Sequence, residues 1–318
     1  MKWKKLGQIF EFEKSPIAQK FVSHVQSPQA VVFDDFVRVY FSTRKKEDNG
    51  KFVSHVQYID SSKDFKNIIN FSKHEVISVG ETGTFNEHGI FPFNPLKLED
   101  KFYGYTTGWT RRRSVDVDSG IGLSISDDNG ETFKKLGGGP VLTSSLYEPF
   151  LVCDGFVRKF KDKFYMFYIF GQKWCQESQE QAPERVYKIG YATSEDGINW
   201  IKANRCIIED KIDENECQAL PTVIKIGERY HMYFCYRHMV GFRTDKEKGY
   251  RLGYAYSDDL INWTREDENA GITTSEGAWD SDMMCYPNLV EINDKIYLLY
   301  NGNEFGKHGF GVAELEGV

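Results

Sequence analysis

The sequence repeats a unit of about 60 residues, which is most complete between Glu216 and Trp263. In this copy a short polar link leads to Pro221 and the apolar run Thr222 to Ile226. A Gly-Glu turn joins that run to an aromatic strand from Tyr230 to Tyr236, and a third strand follows at Leu252 to Tyr256. A Ser-Asp-Asp turn then leads to the closing tryptophan. Four short strands joined by turns have the size of one blade of a β-propeller.

The other copies are recognised by a proline near the first strand and by the aromatic strand that follows it. The five prolines in chain order are Pro28, Pro92, Pro149, Pro221 and Pro287. A turn of the type Ser-x-Asp before an aromatic residue also recurs, at Ser126, Ser194 and Ser257. Ser and Asp suit such turns because their side chains bind nearby backbone N–H groups. We therefore predict five blades, with the aromatic residue of each turn packed between sheets.

The two ends of the chain complement each other. The fifth copy has a third strand at Gly309 to Leu315 and no fourth strand after it. Near the N-terminus, Trp3 to Gly7 resembles Phe133 to Gly137, the fourth strand of the second copy. We predict a single all-β domain over residues 1–318, a five-bladed β-propeller whose N-terminal strand completes the last blade.

Composition and charge exclude several classes of function. A net charge of −7 argues against nucleic acid or an anionic membrane as the main partner. No apolar run is long enough for a membrane span, and the basic N-terminus lacks the apolar segment of a secretion signal. The six cysteines lack zinc or CxxC spacing, which is typical of reduced thiols in a cytoplasmic protein. We predict no metal and no cofactor; a cation held in the channel by histidines or carboxylates is an alternative that the sequence leaves open but does not support.

Antiparallel geometry predicts where a ligand would bind. First strands begin and second strands end on the same face of a propeller, around its central channel. Polar residues concentrate at these points, whereas the opposite face collects mainly turn residues. The candidate carboxylates there are Glu148, Glu216, Asp280 and Asp282. The candidate binding residues are Gln26, Arg44, His88, Trp109, Arg112, Arg237, His238, Asn301 and Asn303.

With its five copies and Ser-x-Asp turns, the sequence resembles the five-bladed propeller superfamily of glycoside hydrolase families 43, 32, 68, 117 and 130. The resemblance implies that carboxylates at the inner-strand starts cleave a glycosidic bond, with one of them protonating the leaving oxygen. Glu148-Pro149 matches the third-blade Asp-Pro that tunes the acid in family 43. Glu216-Cys217 is similar to the Glu-Cys pair that carries the acid in family 32. The first-blade base of family 43 is replaced by Ser27, and Asp280 or Asp282 could supply a base instead.

Each candidate residue also has a structural interpretation. Glu148 could cap a loop, Glu216 lies in an acidic run typical of a solvated loop, and the histidines could be structural. The arginines could pair with neighbouring carboxylates. Alternatively, Arg44, Arg112, Arg237 and His238 would bind an anionic ligand, and Trp109 would stack on a sugar ring.

Three functions follow from these alternatives. The first is a cytoplasmic enzyme that cleaves a glycosidic bond in an acidic or phosphorylated saccharide, with Glu216 as general acid and Glu148 as its tuning carboxylate. The second is a phosphorylase similar to family 130, in which inorganic phosphate attacks the sugar and one protein carboxylate suffices. The third is a non-catalytic sugar-binding propeller that serves surface-polysaccharide biosynthesis. The sequence alone does not choose among them.

Overall fold

The computed structural model describes residues 1–99, 101–176 and 182–317, which form five four-stranded sheets. The N-terminal strand β1 spans Lys2–Glu11. The first blade contains β2 (Ser23–Val32), β3 (Val37–Lys46), β4 (Phe52–Ser61) and β5 (Ile68–Phe71). The second contains β6 (Ile90–Lys97), β7 (Phe102–Arg111), β8 (Val117–Ser126) and β9 (Lys134–Lys135).

The remaining blades repeat this order. The third contains β10 (Val152–Phe160), β11 (Lys163–Cys175), β12 (Glu184–Ser194) and β13 (Ile201–Lys202). The fourth contains β14 (Cys217–Ile226), β15 (Arg229–Arg237), β16 (Arg251–Ser257) and β17 (Thr264–Arg265). The fifth contains β18 (Cys285–Ile292), β19 (Lys295–Asn301), β20 (Gly309–Gly317) and β1. In the described ranges, the helical elements are α1 (Asn303–Gly306) and 3-10 turns at Pro16–Gln19, Lys246–Lys248 and Asp267–Asn269.

The five blades follow one another around a ring. The inner strands β2, β6, β10, β14 and β18 each contact the next, and β18 contacts β2. In the fifth blade β1 pairs antiparallel with β20, which sets Lys2 opposite Gly317 and Glu11 opposite Gly309. The all-β, five-bladed architecture predicted from the sequence is confirmed, and this pairing is consistent with the predicted closure by the N-terminal strand. None of the described helices is long and apolar enough to cross a membrane.

Aromatic residues join each blade to the one before it. The aromatic residue after the outer turn of every blade packs against an aromatic ring in the second strand of the preceding blade. The ring centroids lie 5.3–6.0 Å apart, as expected for stabilising aromatic pairs. The five pairs are Phe65–Tyr297, Phe133–Tyr40, Trp200–Tyr105, Trp263–Phe167 and Trp3–Tyr233. Because the fifth pair uses Trp3 of β1, the N-terminal strand carries a blade-to-blade contact.

Each inner strand has a β-bulge at an equivalent point, where two residues of the inner strand lie opposite one residue of the second strand. In four blades this bulge is a residue followed by proline, namely Ser27-Pro28, Phe91-Pro92, Leu220-Pro221 and Tyr286-Pro287. In the third blade the bulge is Asp154-Gly155. The alignment of Pro149 with the other prolines was therefore wrong, because Pro149 precedes β10 and lies outside the bulge.

Candidate functional site

The bulge of the third blade places one carboxyl group beside the next blade. The N–H group of Leu220, the bulge residue of β14, donates a hydrogen bond of 3.2 Å to Asp154 Oδ2. In other blades a second-strand side chain accepts the equivalent bond, as Asn301 Oδ1 does from Ser27 N–H at 2.8 Å. The equivalent second-strand residue of the third blade is Ile169, which cannot accept. Asp154 therefore has a structural contact through Oδ2, and no described residue donates to its Oδ1.

The environment of Asp154 changes its acidity. Its side chain is 6% exposed, and its backbone has a φ of 59° in the left-handed region that non-glycine residues seldom adopt. Burial raises the pKa of Asp154 to about 7, although the Leu220 N–H group and the charge of Arg185 act in the opposite direction. A carboxyl group with such a pKa can donate a proton near neutral pH.

A chain of contacting aromatic side chains begins at this carboxyl group. Tyr286, the bulge residue of the fifth blade, interacts electrostatically with Asp154 and packs edge-on against Phe91, the bulge residue of the second. Tyr250 packs on Tyr286 at 5.8 Å, and its hydroxyl group lies 2.6 Å from that of Tyr187. We call this group of five side chains the channel cluster. Burial raises the pKa of Tyr187, Tyr250 and Tyr286, so their hydroxyl groups stay protonated and can donate.

Arg237 adjoins the channel cluster and is 2% exposed. Its guanidinium donates to Tyr187 Oη at 2.9 Å and to the backbone oxygens of His238 and Met239 at 2.7 and 3.1 Å. The ring of Phe242 lies 3.4 Å from its central carbon. No carboxylate of the described residues lies within 4.0 Å of this cation, so its charge is balanced only by dipoles and aromatic faces.

Two more arginines near the channel form no ion pair with a carboxylate within 4.0 Å among the described residues. Arg44 is half-buried, donates to Gln26 Oε1 at 3.4 Å, and interacts with Tyr286. Arg185 interacts with Asp154 and lies 5.7 Å from the ring of Trp174. Together with Arg237 they give the mouth of the channel a cationic character around one buried carboxyl group.

Three of the predicted catalytic carboxylates lie in buried ion pairs. Asp280 Oδ2 accepts from Lys5 at 2.6 Å and from Tyr300 at 3.0 Å. Glu148 accepts from Tyr168 at 2.7 Å and from Lys202. Because each basic residue comes from the fourth strand of the blade and each tyrosine from the second, the same arrangement occurs in the fifth and third blades.

Glu216 repeats this arrangement in the fourth blade. It is fully buried and accepts from Arg265 at 2.5 Å, from Gln218 at 3.1 Å and from two backbone N–H groups at 3.0 Å. Arg265 also stacks on Phe234, which occupies the position of the two tyrosines. The geometry thus favours structural roles for Glu148, Glu216 and Asp280, and their catalytic roles stay predictions without support from the observed contacts.

Several predicted binding residues also have structural contacts. Asn301 is fully buried and links β19 to β2 and β20 through its amide group. Asn303 Oδ1 accepts from the N–H groups of Asp282 and Met283. Asp282 pairs with Lys246 at 2.8 Å, and this contact holds the pKa of Asp282 below its usual range. His238 contributes its backbone oxygen to Arg237.

The second blade carries a separate group at the rim. The rings of His88 and Trp109 stack with centroids 5.9 Å apart, and Arg111 lies 5.5 Å from Trp109. Arg112 is exposed and pairs with Asp118. The contacts of His88 and Arg111 with Trp109 compete with a sugar for its faces, so the predicted stacking role of Trp109 remains untested.

The structure thus brings together Gln26, Arg44 and Arg237 and adds residues that the sequence did not point to. Those additional residues are Phe91, Asp154, Arg185, Tyr187, Tyr250 and Tyr286. Asp154 was missed because glycine replaces the proline that marks the other bulges. An Asp-Gly pair two residues into an inner strand was the available signal. Within the described ranges, no group of three or more His, Cys, Asp or Glu side chains could hold a metal ion.

Comparisons with known proteins agree with this architecture. No family model matches the chain. An uncharacterized protein of Mycobacterium tuberculosis strain H37Rv is 28% identical over 316 residues, which are 99% of this chain and 100% of that protein. The beta-1,2-mannobiose phosphorylase of Thermoanaerobacter sp. strain X514 is 32% identical over 107 residues, which cover 32% of this chain and 33% of the enzyme.

Solved structures share the whole fold at low sequence identity. A glycoside hydrolase superimposes with a TM-score of 0.74 at 14% identity, and the match covers 99% of this chain and 93% of the hydrolase chain. A structure from the GH130 family of mannoside phosphorylases gives a TM-score of 0.68 at 15% identity and covers 98% of this chain and 93% of that chain. That family is described as containing glycoside hydrolases that target beta-1,2 mannosidic linkages in Candida mannan. The chain therefore has the fold of the five-bladed β-propeller glycoside hydrolases.

Proposed function

We propose that the protein is a carbohydrate-active enzyme that cleaves or forms a glycosidic bond at the channel cluster, with Asp154 as general acid. The observation that carries this proposal is the buried carboxyl group of Asp154, whose pKa of about 7 suits proton donation to a leaving oxygen. Its position on an inner-strand bulge supports the proposal, because the mouth of a propeller channel is a concave site built by all five blades.

The arginines favour an anionic group in the reaction. Arg44, Arg185 and Arg237 have no carboxylate partner in the described part of the chain. Guanidinium groups bind phosphate and carboxylate through paired N–H donors. The substrate class that fits is therefore an acidic or phosphorylated saccharide, bound in the cell's cytoplasm as the composition predicts.

A second candidate, phosphorolysis, is favoured by the number of carboxyl groups at the bulges. Of the five bulge residues, Ser27, Phe91, Leu220 and Tyr286 cannot act as a carboxylate base, and Asp154 is the acid. Attack by inorganic phosphate needs no second protein carboxylate, whereas hydrolysis uses a pair. The partial similarity to a beta-1,2-mannobiose phosphorylase also supports this candidate.

The test is product release from oligosaccharides and aryl glycosides, including manno-oligosaccharides, with and without phosphate. Asp154→Asn is the informative variant, because an asparagine oxygen can still accept from Leu220 N–H while the acidic proton is lost. We expect turnover to fall by at least about 100-fold in Asp154→Asn, the usual size of a general-acid contribution. Asp258→Asn, at the exposed Arg229–Asp258 ion pair, is the matched control and should stay near wild type.

The outcomes separate the hypotheses. Turnover that requires phosphate supports the phosphorylase, and turnover without phosphate supports the hydrolase. Equal activity of Asp154→Asn and wild type would exclude Asp154 as the acid. Saccharide binding without any turnover would favour the sugar-binding propeller.

A further inference from the structure

Arg237 is a buried cation whose charge is incompletely satisfied. Four of its contacts use the terminal nitrogens or the ring face, as described above, but its Nε is buried without a hydrogen-bond partner in the described structure. Leaving a charged donor unpaired in a buried position is costly. An oxyanion beside the guanidinium would remove this cost, so the site favours an anionic ligand.

The cover of this cation comes from the chain that directly follows it. Residues 238–249, which we call the strap, leave β15 and return to β16. Phe242 of the strap lies on the guanidinium and is 5% exposed. Its ring also packs edge-on against Phe305, at a centroid distance of 6.0 Å. Phe242 therefore separates Arg237 from solvent.

Beyond Phe242, the side-chain ion pairs that link the strap to neighbouring segments are of low energetic value. Arg243 pairs with Glu184 at 2.9 Å, and Lys246 pairs with Asp282 at 2.8 Å. The arginine and lysine side chains of these pairs are 57% and 70% exposed, and exposed ion pairs contribute little to stability. Gly241, next to Phe242, has a φ of 77°, which glycine adopts without strain.

Space for a displaced ring lies beside the strap. An open cavity of about 480 Å³ is lined by Glu184, Val240, Gly241, Phe242, Arg243 and Lys248. Phe242 can enter this space by rotation of the strap about Gly241. Arg243 and Lys248 would then lie on the same side as the uncovered guanidinium and add positive charge to it.

We propose that the strap is a gate over an oxyanion-binding site, with Phe242 as the plug and Arg237 as the receptor. This inference rests on the proposed function for the use of the anion, whether inorganic phosphate or an anionic group of the saccharide. Binding of the anion requires the open strap, so the affinity for anions is reduced by the cost of removing Phe242 from Arg237.

The first experiment measures binding of inorganic phosphate by calorimetry to wild type, Phe242→Ala and Phe242→Leu, without any saccharide. We expect Phe242→Ala to bind phosphate about tenfold more tightly than wild type, because the plug is absent. Phe242→Leu keeps an apolar side chain in the strap, so it tests the gate even if the alanine variant folds poorly. Its gain in phosphate affinity should be smaller than that of Phe242→Ala. Arg237→Met should abolish phosphate binding both in the wild-type protein and in the Phe242→Ala variant.

The second measurement is amide hydrogen exchange of residues 238–249 in the wild-type protein, with and without phosphate, which needs no substitution. We expect exchange in the strap to change on phosphate binding while the central strands stay protected. Unchanged phosphate affinity in both Phe242 variants, or the absence of phosphate binding in all proteins, would overturn the gate. Glycosidase or phosphorylase turnover is measured separately, so a working gate without turnover would contradict only the proposed function.

Discussion

At the scale of single residues, Asp154 combines a structural contact with an unusual acidity. The carboxyl group accepts the N–H group of Leu220 in place of a side chain of β11, and burial raises its pKa to about 7. The unfolded chain would titrate this group near its ordinary value of about 4. Between these two pH values the folded protein holds a proton that the unfolded chain has released.

This difference predicts a loss of stability as the pH rises. Because the folded pKa is the higher one, the contribution of Asp154 is fully present below about pH 4 and is lost as the pH rises through about 7. A shift of this size corresponds to up to about 4 kcal/mol. Urea unfolding at pH 5 and pH 8 should show that the free energy of unfolding of Asp154→Asn falls less over this interval than that of wild type.

The asparagine variant isolates the charge because it keeps an acceptor for Leu220. A second comparison moves the acceptor instead, by combining Asp154→Ala with Ile169→Thr. If the free energy of unfolding depended on pH identically in wild type and both variants, Asp154 would not titrate in this range.

At the scale of strands, the repeated ion pair explains which site residues the sequence could identify. Glu148, Glu216 and Asp280 precede inner strands, as predicted, but basic residues of the fourth strands hold them inside the blades. The sequence carried a signal for this in Trp3-Lys4-Lys5, Trp200-Ile201-Lys202 and Trp263-Thr264-Arg265, where a basic residue follows the turn tryptophan by two. The blade order was predictable because each copy repeats its own strands and turns. That Asp154, Tyr286 and Arg237 lie near one another was not predictable, because their proximity depends on bulges and loops that bring different copies together.

The ion pair of the fourth blade should contribute strongly to stability. Arg265→Met leaves Glu216 buried without its cation, which typically costs about 3–5 kcal/mol. Arg229→Met removes an exposed arginine–aspartate pair of the same blade and should cost much less, because exposed ion pairs contribute little to stability. Urea unfolding at neutral pH compares the two variants, and similar losses would contradict a special role for the buried pair.

At the scale of the whole molecule, β1 determines whether the fifth blade is complete. It covers the edge of β20 and brings Trp3 against Tyr233, with a hydrogen bond of 2.8 Å between them. Deleting residues 1–11 would expose a strand edge and leave part of the fourth blade uncovered. We expect this deletion to lower the melting temperature by more than 10 °C or to prevent folding, as measured by calorimetry and light scattering.

A circular permutant is the matched control, because it keeps every strand and moves only the chain ends. The original ends would be joined next to Lys2 and Gly317, which lie opposite each other in the β1–β20 pair. The new ends would be made between Gly138 and Gly139, where an added Cβ atom would meet no other atom within 4 Å. We expect the permutant to retain a melting temperature close to that of wild type. A stable deletion variant would show that β1 is dispensable.

The pairing of β1 with β20 also sets the timing of folding during synthesis. β1 precedes its partner β20 by all the other strands, so during synthesis β1 has no neighbouring strand until those strands have been made. Until then, the two side chains of β1 that are buried in the folded protein, Trp3 and Phe10, stay exposed on the nascent chain. A chaperone that binds β1 during synthesis would shield these side chains until β20 is available to pair with it.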